Sequence, residues 1–220
     1  MDFSQKLVAN SSFFRGVDQR ILEQELLTKG RIKKYSKGTY LLLPQQVQEY
    51  FAIILKGKIH TQHLFADGNC SILDVLEEWD LFGVDLVCTK SRISPYHAVA
   101  ATDLELLTFP WYLPFTPGHL SEAFRQELQL RLLRLIANSN IQKEYRLAIL
   151  SQKGLRERVL TYLQMQAAKR QVRSFEIPFS RDDLASFLCV NRSALSHELS
   201  KMQEEGLIRF RKNSFTLLCE

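Results

Sequence analysis

The chain has 220 residues, 45% of them apolar and 24% charged, the balance of an ordinary soluble globular protein with length for one large domain or two small ones. No apolar run approaches the roughly 18 residues needed to cross a bilayer, and the N-terminal MDFSQKLVANSSFF lacks a charged start followed by an apolar stretch, so a cytoplasmic location is expected. The net charge of +5 is unevenly spread: residues 150–220 hold 12 Lys and Arg against 8 Asp and Glu, whereas residues 1–119 hold 12 against 13, so any affinity for an anionic partner belongs to the C-terminal part.

Residues 1–30 read as helical, with Phe13, Phe14, Val17, Ile21, Leu22 and Leu26 at mixed three- and four-residue spacing. From Arg31 to Phe109 the pattern changes to short strand-like runs: TYLLL, YFAIIL, KIHTQHLF, CSILDVL and HAVAATDLELLTF. Regular short strands with turn signals between them predict an antiparallel sandwich or barrel. The Asp-Gly pair in ADGN, residues 66–69, is a strong hairpin signal. Pro110, Pro114 and Pro117 close this region, because proline cannot donate to a strand ladder and stops a helix entering from before it.

A long helix follows, from about Leu120 to Ser151, with Leu120, Phe124, Leu128, Leu132, Leu135 and Ile136 on one face. Its heptad register is too loose for a regular coiled coil. The expectation is a long apolar stripe packed between two subunits. Gly154 marks a break, and residues 155–171 form a second amphipathic helix before a short strand around SFEIPF.

The next stretch carries the most chemistry. Ser180 and Asp183 form a capping-box start, and Leu184 and Leu188 share a face with the small Ala185 beside them. CVN then makes a tight turn, with Asn191 as the N-cap of a following helix that buries Leu195, Leu199 and Met202. The opposite face carries Arg192, Ser193, Ser196, His197 and Ser200. Short serines let a helix backbone descend into a major groove, and an arginine at the N-terminus can reach guanine O6 and N7 together. After Gly206, LIRFRKNSFTLL reads as two strands around a Lys212-Asn213 turn, a basic wing beside a phosphate backbone. The composite is a winged helix-turn-helix.

At this point the whole layout resembles the Crp/Fnr family of bacterial transcription regulators. The resemblance rests on YFAIILKGKI, DLFGVDLV, FSRDDLASFLCVNRSALSHELSKMQEEGLI and FRKNSFTLL, in the family's order and spacing, and covers essentially the full chain. It implies an α+β architecture: an N-terminal double-stranded β-helix, jelly-roll-like, in residues 1–117; a long dimerisation helix and hinge in 118–150; and a C-terminal winged helix-turn-helix domain in 151–220. It also implies a non-enzymatic regulator that binds a double-stranded DNA operator as a homodimer, meets RNA polymerase, and has no membrane partner. Arg192, Ser193 and His197 match the base-reading positions, and Ser180 and Arg181 match positions that hold phosphates. Asn191, Ser196, Lys201 and Lys212 are the further expected phosphate contacts. The cyclic-AMP-responsive branch carries Arg, Glu and Arg at the base-reading positions and an apolar residue where Glu198 stands, so a different operator is expected.

The effector site departs further. Cyclic-nucleotide binders use a Gly-Glu pair for the ribose and an Arg-Ser/Thr pair for the phosphate; here these positions are Gly83-Val84 and Ser94-Pro95. Without that arginine a buried phosphate loses its bidentate partner. Gly83, Val84, Asp85, Arg92 and Ser94 are the candidate effector residues, for a ligand other than cyclic AMP. No cofactor is assigned. No cysteine precedes Cys70, so the N-terminal cluster of the oxygen-sensing branch is missing, and Cys88 is a candidate redox sensor. His60 and His63, three apart on a strand, point to opposite faces, which leaves no ordered metal set. Two alternatives stay open: a roll that binds no ligand and serves only dimerisation, and a cupin-like metal enzyme.

Overall fold

The computed structural model describes residues 2–65 and 70–218. The Asp-Gly hairpin expected at residues 66–69 lies outside the described residues. The chain divides into two compact units, one built mainly of residues up to Ser139 and the other mainly of residues from Asn140.

The first unit opens with α1 (Phe3–Asn10) and α2 (Gln19–Glu25), each started by an aspartate. Asp2 caps α1 in a reciprocal capping box with Gln5, and Asp18 accepts from the amides of Arg20 and Ile21. A single 3-10 turn at Leu27–Lys29 leads into the strands. These are β1 (Arg31–Tyr35), β2 (Tyr40–Leu42), β3 (Tyr50–Lys56), β4 (Ile59–Leu64), β5 (Cys70–Leu76) and β6 (Leu81–Phe82). After the short α3 (Val84–Val87) come β7 (His97–Ala100) and β8 (Leu104–Pro110). Two antiparallel four-stranded sheets result, in the orders β1-β8-β3-β6 and β2-β7-β4-β5. The single apolar run expected from His97 to Phe109 is two strands, broken at residues 101–103 and assigned to different sheets.

Between the sheets lie Leu42, Ala52, Ile54, Ile59, Phe82, Ala98, Ala100, Leu104 and Leu106. The other face of the first sheet is also covered. Phe51, Ile53, Leu107 and Phe109 pack with the N-terminal helices, where Leu7, Phe14, Leu22 and Leu26 are fully buried. Covering both faces explains why β3 and β8 read as continuous apolar runs rather than alternating ones. Of the apolar residues expected in the N-terminal core, Ile21 is the exception, 45% exposed.

The long helix α4 (Glu122–Leu150) buries Phe124, Leu128 and Leu132 in that same core. This corrects the expected dimer stripe: the face bearing Leu120, Phe124, Leu128 and Leu132 is consumed by the roll of its own chain. A second row, Leu130, Leu133, Ala137, Ile141 and Tyr145, stays exposed at three- and four-residue steps. The start of α4 is tied to α2, since a Glu25 carboxylate oxygen accepts from the Ser121 amide at 2.9 Å. That bond, first among its causes, holds the Glu25 carboxyl below its ordinary value near 4.5. A depressed folded-state value stabilises above pH 4.5 and is lost as pH falls through it. Glu25→Ala is therefore expected to lower the melting temperature at pH 7, with the gap to the parent narrowing as the pH falls below 4.5 in a calorimetric pH series.

The second unit contains α5 (Leu155–Arg170), β9 (Ser174–Glu176), α6 (Arg181–Phe187), α7 (Arg192–Glu204), β10 (Ile208–Arg211) and β11 (Ser214–Leu217). Its three-stranded sheet has the order β10-β11-β9, so the strand around SFEIPF completes the wing as a third member. The core joins Val159, Tyr162 and Leu163 of α5 to Leu184, Ala185 and Leu188, and to Leu195, Leu199 and Met202 of α7. Between α6 and α7 the backbone turns through Cys189 at φ 56, and the Val190 amide donates to Ala185 O at 2.9 Å.

Candidate nucleic-acid interface

The two helices of the motif start as the capping chemistry dictates. The Ser180 hydroxyl accepts from the Asp183 amide while the Asp183 carboxylate accepts from the Ser180 amide. The Asn191 side-chain oxygen accepts from the Ala194 amide at 2.7 Å and from the Ser193 hydroxyl at 2.9 Å. With Leu195, Leu199 and Met202 turned inward, Arg192, Ser193, His197, Ser200 and Lys201 are exposed and Ser196 is half-buried. All three candidate base readers thus share the outer face of α7.

Arg192 is not idle there. Its Nη1 donates to Asp182 at 3.2 Å, a partner from α6 that the sequence reading did not include. Lys201 lies close enough to Glu205 to help hold that carboxyl down, behind the larger effect of Arg156.

Ser180, Arg181 and Lys212 come together around a cleft of about 450 Å³, lined also by Pro178, Phe179 and Asn213. Lys212 sits at the wing turn with φ 54, between strand residues Arg211 and Ser214 that pair directly. Arg181 leans over the rings of Phe210 and Phe215 at 5.0 and 5.7 Å, and its Nη2 donates to Lys212 O at 3.0 Å. Burial, and then the nearby charge of Arg192, lower the Arg181 pKa from its usual value. The guanidinium therefore ties the start of α6 to the tip of the wing.

Glu198, the departure noted on α7, faces inward rather than outward. Its carboxylate accepts from Arg156 Nε at 2.7 Å, and the same guanidinium donates to both oxygens of Glu205 at 2.6 and 3.0 Å. One arginine on α5 thus holds α7 at its middle and its end, through a forked contact. Removing one partner of such a set strands the others, whereas apolar replacement of both is tolerated. Arg156→Leu is expected to lower the melting temperature, and Arg156→Leu with Glu198→Leu to regain only the part due to Glu198, since Glu205 stays without its arginine, as a double-mutant cycle would measure.

In the roll, the candidate effector residues divide into two groups. Gly83 adopts φ 79 ahead of α3, where a Cβ would lie 2.5 Å from Gln48 Nε2 and 3.0 Å from Tyr50 O. Val84 is buried beside it. Asp85 accepts from the Tyr96 hydroxyl with both oxygens, at 3.0 and 2.9 Å. Ser94 is fully buried; its hydroxyl donates to Tyr96 O and accepts from the Tyr96 amide. Asp85 and Ser94 are thereby organised about Tyr96. Arg92 is turned elsewhere: Nη1 donates to Gln48 O at 3.2 Å and to Glu49 at 3.1 Å, and the guanidinium stacks on Trp111 at 3.9 Å. Burial, reinforced by the charge of Asp85, pushes the Cys88 thiol up to about 11, away from the thiolate that redox sensing needs. Among the described residues no group of three or more His, Cys, Asp or Glu is placed to hold a metal ion.

A two-sheeted roll, a long helix and a three-stranded winged helix-turn-helix define a regulator-type DNA-binding protein with a sensor-like domain ahead of it. The cyclic nucleotide-binding domain family matches residues 32–111, and the Crp-like helix-turn-helix domain family matches residues 157–219. The global nitrogen regulator of Synechococcus elongatus is 23% identical over 193 residues, covering 85% of each chain. Among solved structures, FixK2 from Bradyrhizobium japonicum superposes with a TM-score of 0.65 at 19% identity, over 86% of this chain and 92% of that one. The catabolite activator protein of Thermus thermophilus gives 0.54 at 21% identity, over 94% and 93%. The chain belongs to the Crp/Fnr family of transcription regulators. No helix among the described residues is long and apolar enough to cross a membrane.

Proposed function

We propose that the chain is a homodimeric, sequence-specific DNA-binding regulator whose operator affinity is set by an effector at the roll other than cyclic AMP. Members of the Crp/Fnr family bind DNA and act as dimers. The observation that carries the reading is the outer face of α7. An exposed arginine stands at its first position, followed by short or ring side chains, and the wing rises beside it with Arg181 and Lys212. Arg192 is the guanine reader, with Ser193 and His197 contacting neighbouring bases; Ser180, Arg181, Asn191, Ser196, Lys201 and Lys212 contact phosphates. The Ser193 proton is engaged by Asn191, which leaves its lone pairs to accept from an adenine or cytosine amino group. RNA polymerase is the partner through which such a regulator acts, and no catalytic role is assigned to any residue.

The case against cyclic AMP rests on Arg92, which is committed to Gln48, Glu49 and Trp111. Effector binding would bias the long helices between two packings and so set the spacing of the recognition helices. A second reading, a ligand-free roll that only supports dimerisation, is favoured by the fact that Asp85 and Ser94 already bond Tyr96. Selection of random duplexes by the purified protein tests the function: a pseudo-palindromic operator is expected, and sequence-independent binding would overturn it. Adding cyclic AMP is expected to change neither operator affinity nor melting temperature. A metabolite panel that shifts the melting temperature favours the effector reading; a panel that shifts nothing favours the ligand-free one.

A further inference from the structure

Two acidic residues open α6, and the fold uses only one of them as a cap. Asp183 closes the capping box with Ser180. Asp182 contributes to no cap and instead accepts from Arg192 Nη1 across the turn, at 3.2 Å. A carboxylate here is electrostatically costly for a DNA-binding surface. Ser180, Arg181 and Lys212 border the same end of the motif, so a duplex laid against them brings phosphates toward Asp182. The ion pair does little for the fold, because both side chains are 65% exposed and exposed pairs contribute little to stability.

What the pair does supply is direction. An arginine side chain samples many rotamers, and a forked contact with guanine needs one arrangement of it. A carboxylate on Nη1 restrains that arrangement and leaves donors on Nη2 and Nε for a base edge. It also offsets repulsion between Arg192 and Arg181, whose guanidinium is fixed over Phe210 and Phe215. We propose that Asp182 is a specificity-determining positioning residue: it orients Arg192 for guanine and accepts weaker binding to all DNA in return for sharper choice of one base. This rests on the reading of Arg192 as a base reader.

The test compares the full-length parent with Asp182→Ala, Asp182→Asn and Arg192→Ala on four operators that differ only at the base assigned to Arg192. Asp182→Ala is expected to cut discrimination for guanine about two- to fivefold, within what an exposed ion pair supplies and less than loss of the forked contact itself. Asp182→Asn, which keeps an acceptor for the guanidinium, is expected to retain part of it. Both variants should bind a non-operator duplex more tightly, since each removes a negative charge near the phosphates, and both should melt with the parent. Discrimination that is unchanged, that sharpens, or that falls equally in the alanine and asparagine variants overturns the proposal. If Arg192→Ala keeps the guanine preference, the assignment of Arg192 is itself wrong. Loss of preference in Arg192→Ala with full preference in Asp182→Ala overturns the role of Asp182 alone.

Discussion

Leu133→Glu in α4 is expected to give a monomer that keeps both folded units and binds a palindromic operator about 10²–10⁴-fold more weakly than the parent. Leu133 is 64% exposed in the single chain, so a charge there costs the fold little, while Phe124, Leu128 and Leu132 on the buried face are untouched. Leu130, Ala137, Ile141 and Tyr145 continue the same row within the 29-residue helix. Burying a glutamate in the middle of a two-helix seam leaves an unpaired charge, which an apolar contact cannot accommodate. Without the partner, each half-site is held alone and the second contact no longer comes at high effective concentration. Sedimentation at micromolar concentration and a gel-shift titration read the two effects separately. A Leu133→Glu chain that sediments as a dimer would remove α4 from the interface.

Arg192→Ala is expected to abolish preference at one base pair in each half-site, at a cost of about 1–3 kcal/mol per half-site, and to lower non-operator affinity only by the loss of one exposed positive charge. Arg181→Ala is the contrasting case. Its guanidinium holds the wing to the start of α6, and with the proposed phosphate contact removed binding should weaken on all sequences alike. Base-resolved selection on both variants distinguishes them. An Arg192→Ala protein that retains the parent's preference at every position would place base reading elsewhere on α7.

The parts of the fold that were legible are those where one chemistry settles the outcome. Leu195, Leu199 and Met202 lie four and three residues apart, so burying them turns Arg192, Ser193 and His197 outward. Ser180 with Asp183, and Asn191, supply caps that start their helices where the amides need acceptors. β1 was not legible, because RIKKY pairs with β8 alone and exposes four of its five residues, giving no alternation to detect. The stripe expected between subunits proved to be buried in its own chain for a different reason. Helix α4 carries two apolar stripes, and periodicity does not say which one meets its own roll. Resemblance brought Arg92 into the effector set, and only the fold turns it toward Glu49 and Trp111. The pairing of Asp182 with Arg192 spans ten residues and a turn, and a sequence offers no spacing rule for it. The outlier that pointed there was an acid beside a cap, in a segment otherwise suited to phosphates.

The same poorly legible β1 bears on what the edge of the roll presents to a second copy. Among the described residues it is the outermost strand of its sheet, and Ile32 on it is 60% exposed. Arg31 and Lys33 flank that isoleucine with positive charge, while Lys34 pairs with Glu105 at 2.7 Å, and like charge on two copies opposes an edge-to-edge approach. Charge of this kind on an edge strand is a general device by which sheets resist pairing edge to edge.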